Sequence, residues 1–343
     1  MLLRANNIQS GELVFDDVQY VDCSKVKPNQ LLRKGDILIC ASSGSKCLVG
    51  KAALVREDMP VTFGAFCCVL RTLSNESDYL GFYFQSKQYR RAIEQVCSGS
   101  NINNLKADNF YSLDVPFYVE SERGIISAQF SSIVSQSKRI ECYLASLDTL
   151  VKSRFVEMFG GGSLATRTIG ELATDIRYGT SKKSSDEGRY TYLRMNNMTD
   201  DGRLDFADTK RITLDGSELD KCLVRKGDLL FNRTNSREKV GKTAVFEEDE
   251  PMVIAGYIIR VRLGPDIRSR YLCAYMNLPH VKEQLRAMAK GAVHQANINA
   301  KQLCSIQVPV PRISQQDEFI SFVSRVDKLR FVATGIVLIN PMT

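Results

Sequence analysis

The chain carries nearly the same message twice, about 190 residues apart, and this internal repeat constrains the fold more than any single residue does. Leu3-Arg4-Ala5-Asn6-Asn7 returns as Leu193-Arg194-Met195-Asn196-Asn197, and Gly11, Leu13 and Phe15 return as Gly202, Leu204 and Phe206. Arg33-Lys34-Gly35-Asp36-Ile37-Leu38 is echoed by Arg225-Lys226-Gly227-Asp228-Leu229-Leu230. Gly50-Lys51 is echoed by Gly241-Lys242, Tyr79-Leu80 by Tyr271-Leu272, and Val115-Pro116 by Val308-Pro309. The offset drifts only from 190 to 193. So small a drift means two copies of one folded unit with a few loop insertions, since a solenoid repeats every ~20 to 50 residues. Two related but non-identical domains imply two related binding events at a fixed separation.

Each copy opens with short alternating segments punctuated by Gly, Asn and Asp, which read as strands and turns. Each then passes into a helical stretch, Tyr79 to Val96 or Arg270 to Met288, and ends in a short strand at Pro116 or Pro309. The fold class is therefore α+β, with helices and strands mixed in both copies. Between the copies, Ser121 to Phe159 contains no Pro, and apolar residues recur at Ile126, Phe130, Ile133, Ile140, Leu144, Leu147, Val151 and Met158. These steps fit the 3.5-residue period of a coiled-coil seam, interrupted by Ser137 and Arg154. One helix of about 58 Å, at about 1.5 Å per residue, accounts for them. Gly160-Gly161-Gly162 stops it. The pattern resumes after the second copy at Phe319, Phe322, Val326, Leu329, Ala333 and Ile336. Each narrow seam must bury itself, and the simplest partner for one is the other. The expected organisation is a first domain at 1–117, a spacer helix at 118–160, a second domain at 165–312 and a second, antiparallel spacer helix at 313–339. Packing of each helix on its own domain is the alternative.

Composition excludes several function classes. No segment has the roughly 18 apolar residues of a membrane span, and the N-terminus lacks the apolar run of a signal peptide, so a cytoplasmic protein with no membrane partner is expected. The ten cysteines form no C-x-x-C pair. They read as reduced, mostly buried small hydrophobes, and no metal is expected. Gly241-Lys242-Thr243 ends like a phosphate-binding loop, but Ser236 stands where the first Gly is required, so the backbone amides cannot converge on phosphates. Asn340-Pro341-Met342-Thr343 lacks the second Pro and the aromatic of an amino-methyltransferase motif. The two histidines, His280 and His294, have no counterparts in the first copy, and no paired carboxylates recur. No catalytic centre is expected.

The charge is uneven. Residues 165–312 carry 25 basic and 19 acidic side chains, which is six of the net seven positive charges. Three polar loops lie in that copy: Arg177-Tyr178-Gly179-Thr180-Ser181-Lys182-Lys183, Asn232-Arg233-Thr234-Asn235-Ser236-Arg237, and Gly291-Ala292-Val293-His294-Gln295-Ala296-Asn297. Arg pairs with guanine edges and Asn with adenine edges, while Lys, Ser and Thr hold phosphates. Arg177, Arg194, Arg233, Asn235, Arg237 and Gln295 are the candidates for base contacts, and Lys182, Lys183 and Lys242 for phosphate contacts. Tyr178, Thr180, Ser181, Asn196, Ser236 and His294 complete the candidate DNA surface. In the first copy the corresponding set is Arg4, Asn6, Ser43, Ser45 and Lys46.

With these features assembled, the chain resembles the DNA-specificity subunit of type I restriction-modification systems over almost its full length. The resemblance is carried by Tyr178-Gly179-Thr180-Ser181, Tyr192 to Asn197, Lys226 to Leu230 with Asn232-Arg233 and Gly241-Lys242, Asn297-Ile298 before Val308-Pro309, and Lys152 to Gly160. It implies two target-recognition domains at opposite ends of two antiparallel helices, each reading half of a split site in double-stranded DNA. It also implies that the helices dock two modification subunits, through elements whose apolar positions are Ile126, Phe130, Ile133, Ile140, Leu144, Leu147, Val151, Phe155, Phe319, Phe322, Val326 and Leu329. S-adenosylmethionine, ATP and magnesium then belong to the modification and restriction subunits, and this chain holds no cofactor.

Thr168 to Tyr192 has no counterpart in the first copy, because only two residues precede Leu3. The first domain is expected to lack the Tyr-Gly-Thr-Ser loop and a strand, so that it binds DNA weakly or is completed by another chain, with DNA affinity residing mainly in residues 165–312. The terminal helix is also shorter than the central one, so the chain reads as shortened at its N-terminus and at its C-terminus relative to the family. An interaction scaffold that does not bind DNA, an inactive remnant of such a subunit, and a nuclease or ATPase of unfamiliar type are the alternatives.

Overall fold

The computed structural model describes residues 1–72, 76–98, 104–116, 118–162, 164–292 and 295–338. The chain divides into two compact units, Met1–Lys138 and Arg139–Thr343. The division falls inside a single 40-residue helix, Glu120–Phe159, so each unit contains part of it.

In the first unit an antiparallel sheet has the strand order Ala52–Leu54, Ile37–Cys40, Cys67–Leu70. All four residues of Ile37–Cys40 are buried because both faces of the sheet are covered. Side chains alternate between faces. Ile37 and Ile39 pack with Tyr83, Phe84, Tyr89 and Ile93 of the helical layer, whereas Leu38 and Cys40 pack with Leu3, Ile8 and Val61. A parallel pair, Leu2–Leu3 with Thr62–Phe63, closes the second cluster. The start of the long helix lies on this unit, with Phe130 5.2 Å from Phe82 between ring centroids.

The second unit repeats this plan and extends it. Thr243–Val245, Leu229–Asn232 and Ile258–Leu263 reproduce the three-stranded sheet, and a fourth strand, Ala173–Tyr178, pairs with the outer edge of Ile258–Leu263. The parallel pair returns as Tyr190–Leu193 with Met252–Ile254, now flanked by Lys210–Ile212 and Leu223–Val224. Individual hydrogen bonds recur as well. Tyr79 donates its hydroxyl to Pro116 O at 2.7 Å and Tyr271 to Pro309 O at 2.9 Å. The amide of Gly50 donates to Cys40 O at 2.8 Å and that of Gly241 to Asn232 O at 2.9 Å. Among the described residues, nothing in the first unit corresponds to Ala173–Tyr178, as the sequence comparison predicts.

Within the second unit the last part of the long helix runs antiparallel to Ile313–Leu338. Arg330 pairs with Asp148, Arg154 with Glu318 at 3.3 Å, and Phe155 packs 5.3 Å from Phe319. Both packing expectations hold here, since the seams meet each other while Phe155, Phe159 and Phe319 also enter the domain core. Ile126, Phe130, Ile133, Ile140, Leu144, Leu147, Val151, Phe155, Phe319, Phe322 and Val326 are all buried or half-buried. Leu329 is the correction: it is 51% exposed, and Arg330 takes the inward position. The seam keeps its register, since Ala333 is 6% exposed, while Arg330 is drawn inward by Asp148 and the Leu144 carbonyl. Arg203, Arg270 and Arg330 interleave with Asp148, Asp201, Asp327 and Glu247 where these helices meet the domain. Cys23, Cys47 and Cys142 are exposed, and the other seven thiols are buried or half-buried, in keeping with the mostly buried reading.

Candidate nucleic-acid interface

Arg233 follows directly on the strand Leu229–Asn232, and its main chain is held from both sides. Its amide donates to Tyr257 O at 2.9 Å, and its carbonyl accepts from the Ile298 amide at 2.9 Å. The guanidinium lies over the Tyr178 ring, 4.9 Å from the centroid, and donates to Asn297 Oδ1 at 3.2 Å. Tyr178 is fixed in turn, because its hydroxyl accepts from the Ala300 amide at 2.9 Å. An Arg laid flat on an aromatic face loses little further freedom when its remaining donors are used, and the stack contributes about 0.5 to 1 kcal/mol.

Beside this cluster, Thr234–Asn235, Gln295–Asn297 and Lys290–Ala292 form a three-stranded sheet, so two of the three polar loops are hydrogen-bonded neighbours. Gln295 lies in its middle strand, while His294 falls outside the described residues. Asn235 Oδ1 accepts from the Ser236 amide at 2.9 Å, and Arg237 is exposed on the turn beyond. The strand carrying Tyr178 brings the third loop to the same cluster. There Arg177 pairs with Asp175 at 2.9 Å and is 54% exposed. Thr180 is buried and donates to Glu218, which also pairs with Lys182 at 2.6 Å. The hydrogen bond from Lys182, then that from Thr180, holds the Glu218 carboxyl below its ordinary pKa. Ser181, Lys183, Arg237 and Lys239 are exposed. Among the described residues no carboxylate pairs with Lys183, Arg237 or Lys239, so this edge of the unit keeps uncompensated positive charge.

Other candidates are committed elsewhere. Lys242 donates to Met198 O at 3.0 Å, pairs with Asp200 at 2.9 Å, and has a side chain only 13% exposed. Arg194 and Asn196 both bind the Asp208 carboxylate, at 2.9 and 3.2 Å. The first unit repeats this clamp with Arg4 and Asn6 on Asp17, each at 2.9 Å. Ser43 Oγ accepts from the Ser45 amide at 3.3 Å, Ser45 Oγ lies 3.0 Å from Cys47 Sγ, and the exposed Lys46 offers its carbonyl to Arg90. Sequence reasoning missed the acidic partners Asp17, Asp208 and Glu218 and the pairing of Asn297 with Arg233. Charge counting registers the cations without showing which carboxylate lies opposite. Of the apolar seam residues, Leu147, Phe155, Phe319 and Val326 are buried and Ile126, Phe130, Ile133, Ile140, Leu144, Val151 and Phe322 half-buried. Tyr143, Leu150 and Val156 on the long helix and Leu329, Phe331 and Val332 on the C-terminal helix are exposed instead. Among the described residues, no group of His, Cys, Asp and Glu is placed to hold a metal ion, and no helix is long and apolar enough to cross a membrane.

Comparison with known proteins agrees with this arrangement. The model of the type I restriction modification DNA specificity domain matches residues 164–335. The chain is 29% identical over 341 residues to the specificity subunit of the type I restriction enzyme EcoKI of Escherichia coli K12, covering 93% of this chain and 73% of that protein. The StySPI specificity subunit of Salmonella potsdam matches with the same identity and coverage. In fold, it is similar to the type I restriction-modification S subunit of M. genitalium, with a TM-score of 0.51 at 14% identity over 90% of this chain and 80% of that one. A chain solved in work on assembly and conformational transition of the type I system gives a TM-score of 0.51 at 18% identity, covering 98% and 84%. A polar loop cluster on a duplicated α+β scaffold with long helices defines a recognition subunit rather than an enzyme. The chain belongs to the type I restriction-modification DNA-specificity family, whose members recognise DNA and are not themselves catalytic.

Proposed function

We propose that the chain recognises a bipartite site in double-stranded DNA, and that its second unit supplies most of the affinity. The observation that carries this is the cluster of Arg233, Tyr178 and Asn297, flanked by Asn235, Gln295 and Arg237 and by the unpaired cations Lys183 and Lys239. Arg233, Asn235, Arg237 and Gln295 read base edges, with Arg177 and Tyr178 at the margin. Ser181, Lys182, Lys183 and Ser236 hold phosphates. Arg194, Asn196 and Lys242 maintain the fold beneath these loops. The relatives carry the name of type I restriction enzyme subunits, so the natural partners are two modification subunits, which bring S-adenosylmethionine, and restriction subunits, which bring ATP and magnesium. The exposed apolar residues of the helices are the surface on which the modification subunits dock, and the assembly works in the cytoplasm.

Long-read mapping of methylated bases in DNA from cells expressing this chain with its modification subunit tests the reading. A split motif with an unspecified gap is expected, and Arg233→Ala should alter one half only. Methylation that ignores sequence, or is unchanged on deleting 165–312, would overturn it.

A further inference from the structure

Both units carry an exposed aromatic ring at the tip of the same tight turn. In the second unit the turn joins Met252–Ile254 to Ile258–Leu263 and is closed by the Ile258 amide, which donates to Ala255 O at 2.8 Å. In the first it joins Thr62–Phe63 to Cys67–Leu70 and is closed by the Cys67 amide, which donates to Gly64 O at 2.9 Å. Ile258 lies opposite Asn232 as Cys67 lies opposite Cys40, so Tyr257 and Phe66 hold one position. Turn tips are ordinarily Gly, Asn, Asp or Ser, which adopt the turn without exposing apolar surface. Here Tyr257 is 51% exposed and Phe66 69%, each next to a buried residue of the following strand.

The main chain of this turn belongs to the loop cluster. Tyr257 O accepts from the Arg233 amide at 2.9 Å, and the Gly256 amide donates to Thr180 O at 2.7 Å, so Tyr257 stands between two of the polar loops. In the first unit Phe66 O accepts from the amides of Ala41 and Ser42, at 2.9 and 3.0 Å. Phe66 also lines one cleft with Ser42 and Ser43, the counterparts of Thr234 and Asn235. The side chains are not engaged in the same way. Among the described residues neither ring stacks on another ring or lies under a cation, and the Tyr257 hydroxyl makes no hydrogen bond. Tyr257 keeps its exposure although Ala173–Tyr178 and the Gly179-Thr180 segment pack alongside, so an uncovered sheet edge is not the cause of it.

Arg233, Asn235 and Gln295 offer donors and acceptors to base edges, and the lysines offer charge to phosphates. A free ring beside them suits the one apolar group that a base edge presents in the major groove, the 5-methyl of thymine. We propose that Tyr257 packs its ring against the 5-methyl group of a thymine in the half-site read by the second unit, and that Phe66 does the same in the other half. Phe66 has no hydroxyl, so the shared requirement of the position is the ring. The side chains around Tyr257 are those that read the major-groove pattern, which places the contact there rather than as a wedge between bases in the minor groove. The inference rests on the proposed recognition of DNA by these loops, and adds a thymine-selecting residue to it.

The test uses the full chain and synthetic duplexes carrying the split motif found by methylation mapping, with each thymine replaced in turn by uracil, which removes only the methyl group. The unaltered chain should lose about fourfold in affinity at one thymine of the half-site read by the second unit, the worth of one methyl group removed from water. Tyr257→Ala should lose about as much on the thymine duplex and nothing further on the uracil duplex. Tyr257→Phe should keep the thymine preference, and Arg233→Ala should remain sensitive to uracil. Phe66→Ala should abolish the preference in the other half only. A half-site without thymine, equal binding of thymine and uracil duplexes by the unaltered chain, or a loss from Tyr257→Ala that is the same on both duplexes would overturn the proposal while leaving recognition by the loops intact. Equal binding of the motif and an unrelated duplex by the unaltered chain would overturn that recognition, and the proposal with it.

Discussion

Arg260 and Val69 occupy the same register position in two copies of one fold, and each suits the edge it lies beside. Arg260 is buried in the second unit, where its guanidinium meets Asp175 on the neighbouring strand and the carbonyls of Asp220 and Leu223. Among the described residues the first unit has neither that strand nor that charge. A buried guanidinium without its carboxylate would be strongly unfavourable, so the strand and the cation come as a set. Features that do not depend on the strand are kept in both units. Arg71 pairs with Asp36 as Arg262 pairs with Asp228, and the clamps of Arg4 and Arg194 on Asp17 and Asp208 match. The duplication therefore separates what the fold needs from what the fourth strand adds.

The largest effect expected from breaking this comparison is at Asp175. Asp175→Ala should destabilise the second unit by about 3 kcal/mol, since it leaves Arg260 buried and unpaired, and Asp175→Val with Arg260→Val should recover most of that loss. Urea unfolding of the full chain measures both. If the single and double variants were equally unstable, the pair would not be the reason for the difference between units. Burial alone would raise the Asp175 carboxyl, but the hydrogen bond and charge of Arg260, aided by Arg177, hold it below its ordinary value. A carboxylate depressed on folding contributes fully above its unfolded pKa of about 3.9 and loses that contribution as pH falls through the lower folded value. The part of the low-pH loss of stability that Asp175 contributes should therefore be absent from the double variant.

Next in size are two glycines the copies share. Gly50 and Gly241 sit at φ +81° and +85°, and a Cβ there would lie 2.7 Å from Ile93 or 2.8 Å from Leu285. Gly50→Ala and Gly241→Ala should each cost about 2 kcal/mol, from left-handed strain together with overpacking. Comparable losses in the two units would show that this turn is common scaffold, and a loss confined to one would break the equivalence.

Much of this was legible in the sequence. The repeat, the mixed fold and the two helices all follow from spacing, because a glycine turn or an apolar stripe is a local signal. Leu329 was misplaced because the neighbouring Arg330 pairs with Asp148 across the two helices, a contact the apolar pattern does not register. The site was only partly legible. Arg194, Asn196 and Lys242 are chemically suited to DNA, yet Asp208, the Met198 carbonyl and Asp200 hold them, and contacts across 12 to 44 positions leave no trace in local pattern. The joining of Tyr178 to Arg233 spans 55 positions and depends on strand order alone.

A smaller effect, on binding rather than stability, should distinguish the cations of the second unit. Arg233→Ala should cost about tenfold in affinity for the cognate half-site and relax selection at one base pair, with no change in the other half. Lys183→Ala should weaken all sequences alike and reduce the salt slope by about one. Titrations at several salt concentrations with cognate and altered half-sites measure both. A uniform loss from Arg233→Ala would move that residue to the phosphate class and leave the loop cluster without its reader.

The smallest expected effect settles the place of the twin clamps. Asp17 and Asp208 have side chains 71% and 69% exposed, so Asp17→Asn and Asp208→Asn should each change stability by less than about 1 kcal/mol. Each substitution removes a negative charge and releases an Arg and an Asn that were held as donors to it. If Arg194 serves the fold, Asp208→Asn should raise affinity for all DNA sequences slightly through net charge, and the methylated motif should stay the same. If Arg194 reads a base from its clamped position, the freed guanidinium should lose its fixed direction and selection at one base pair should relax. The same substitution at Asp17 serves as the control, because the first unit repeats the clamp beside a loop in which Ser43 and Ser45 replace Asn235 and Arg237.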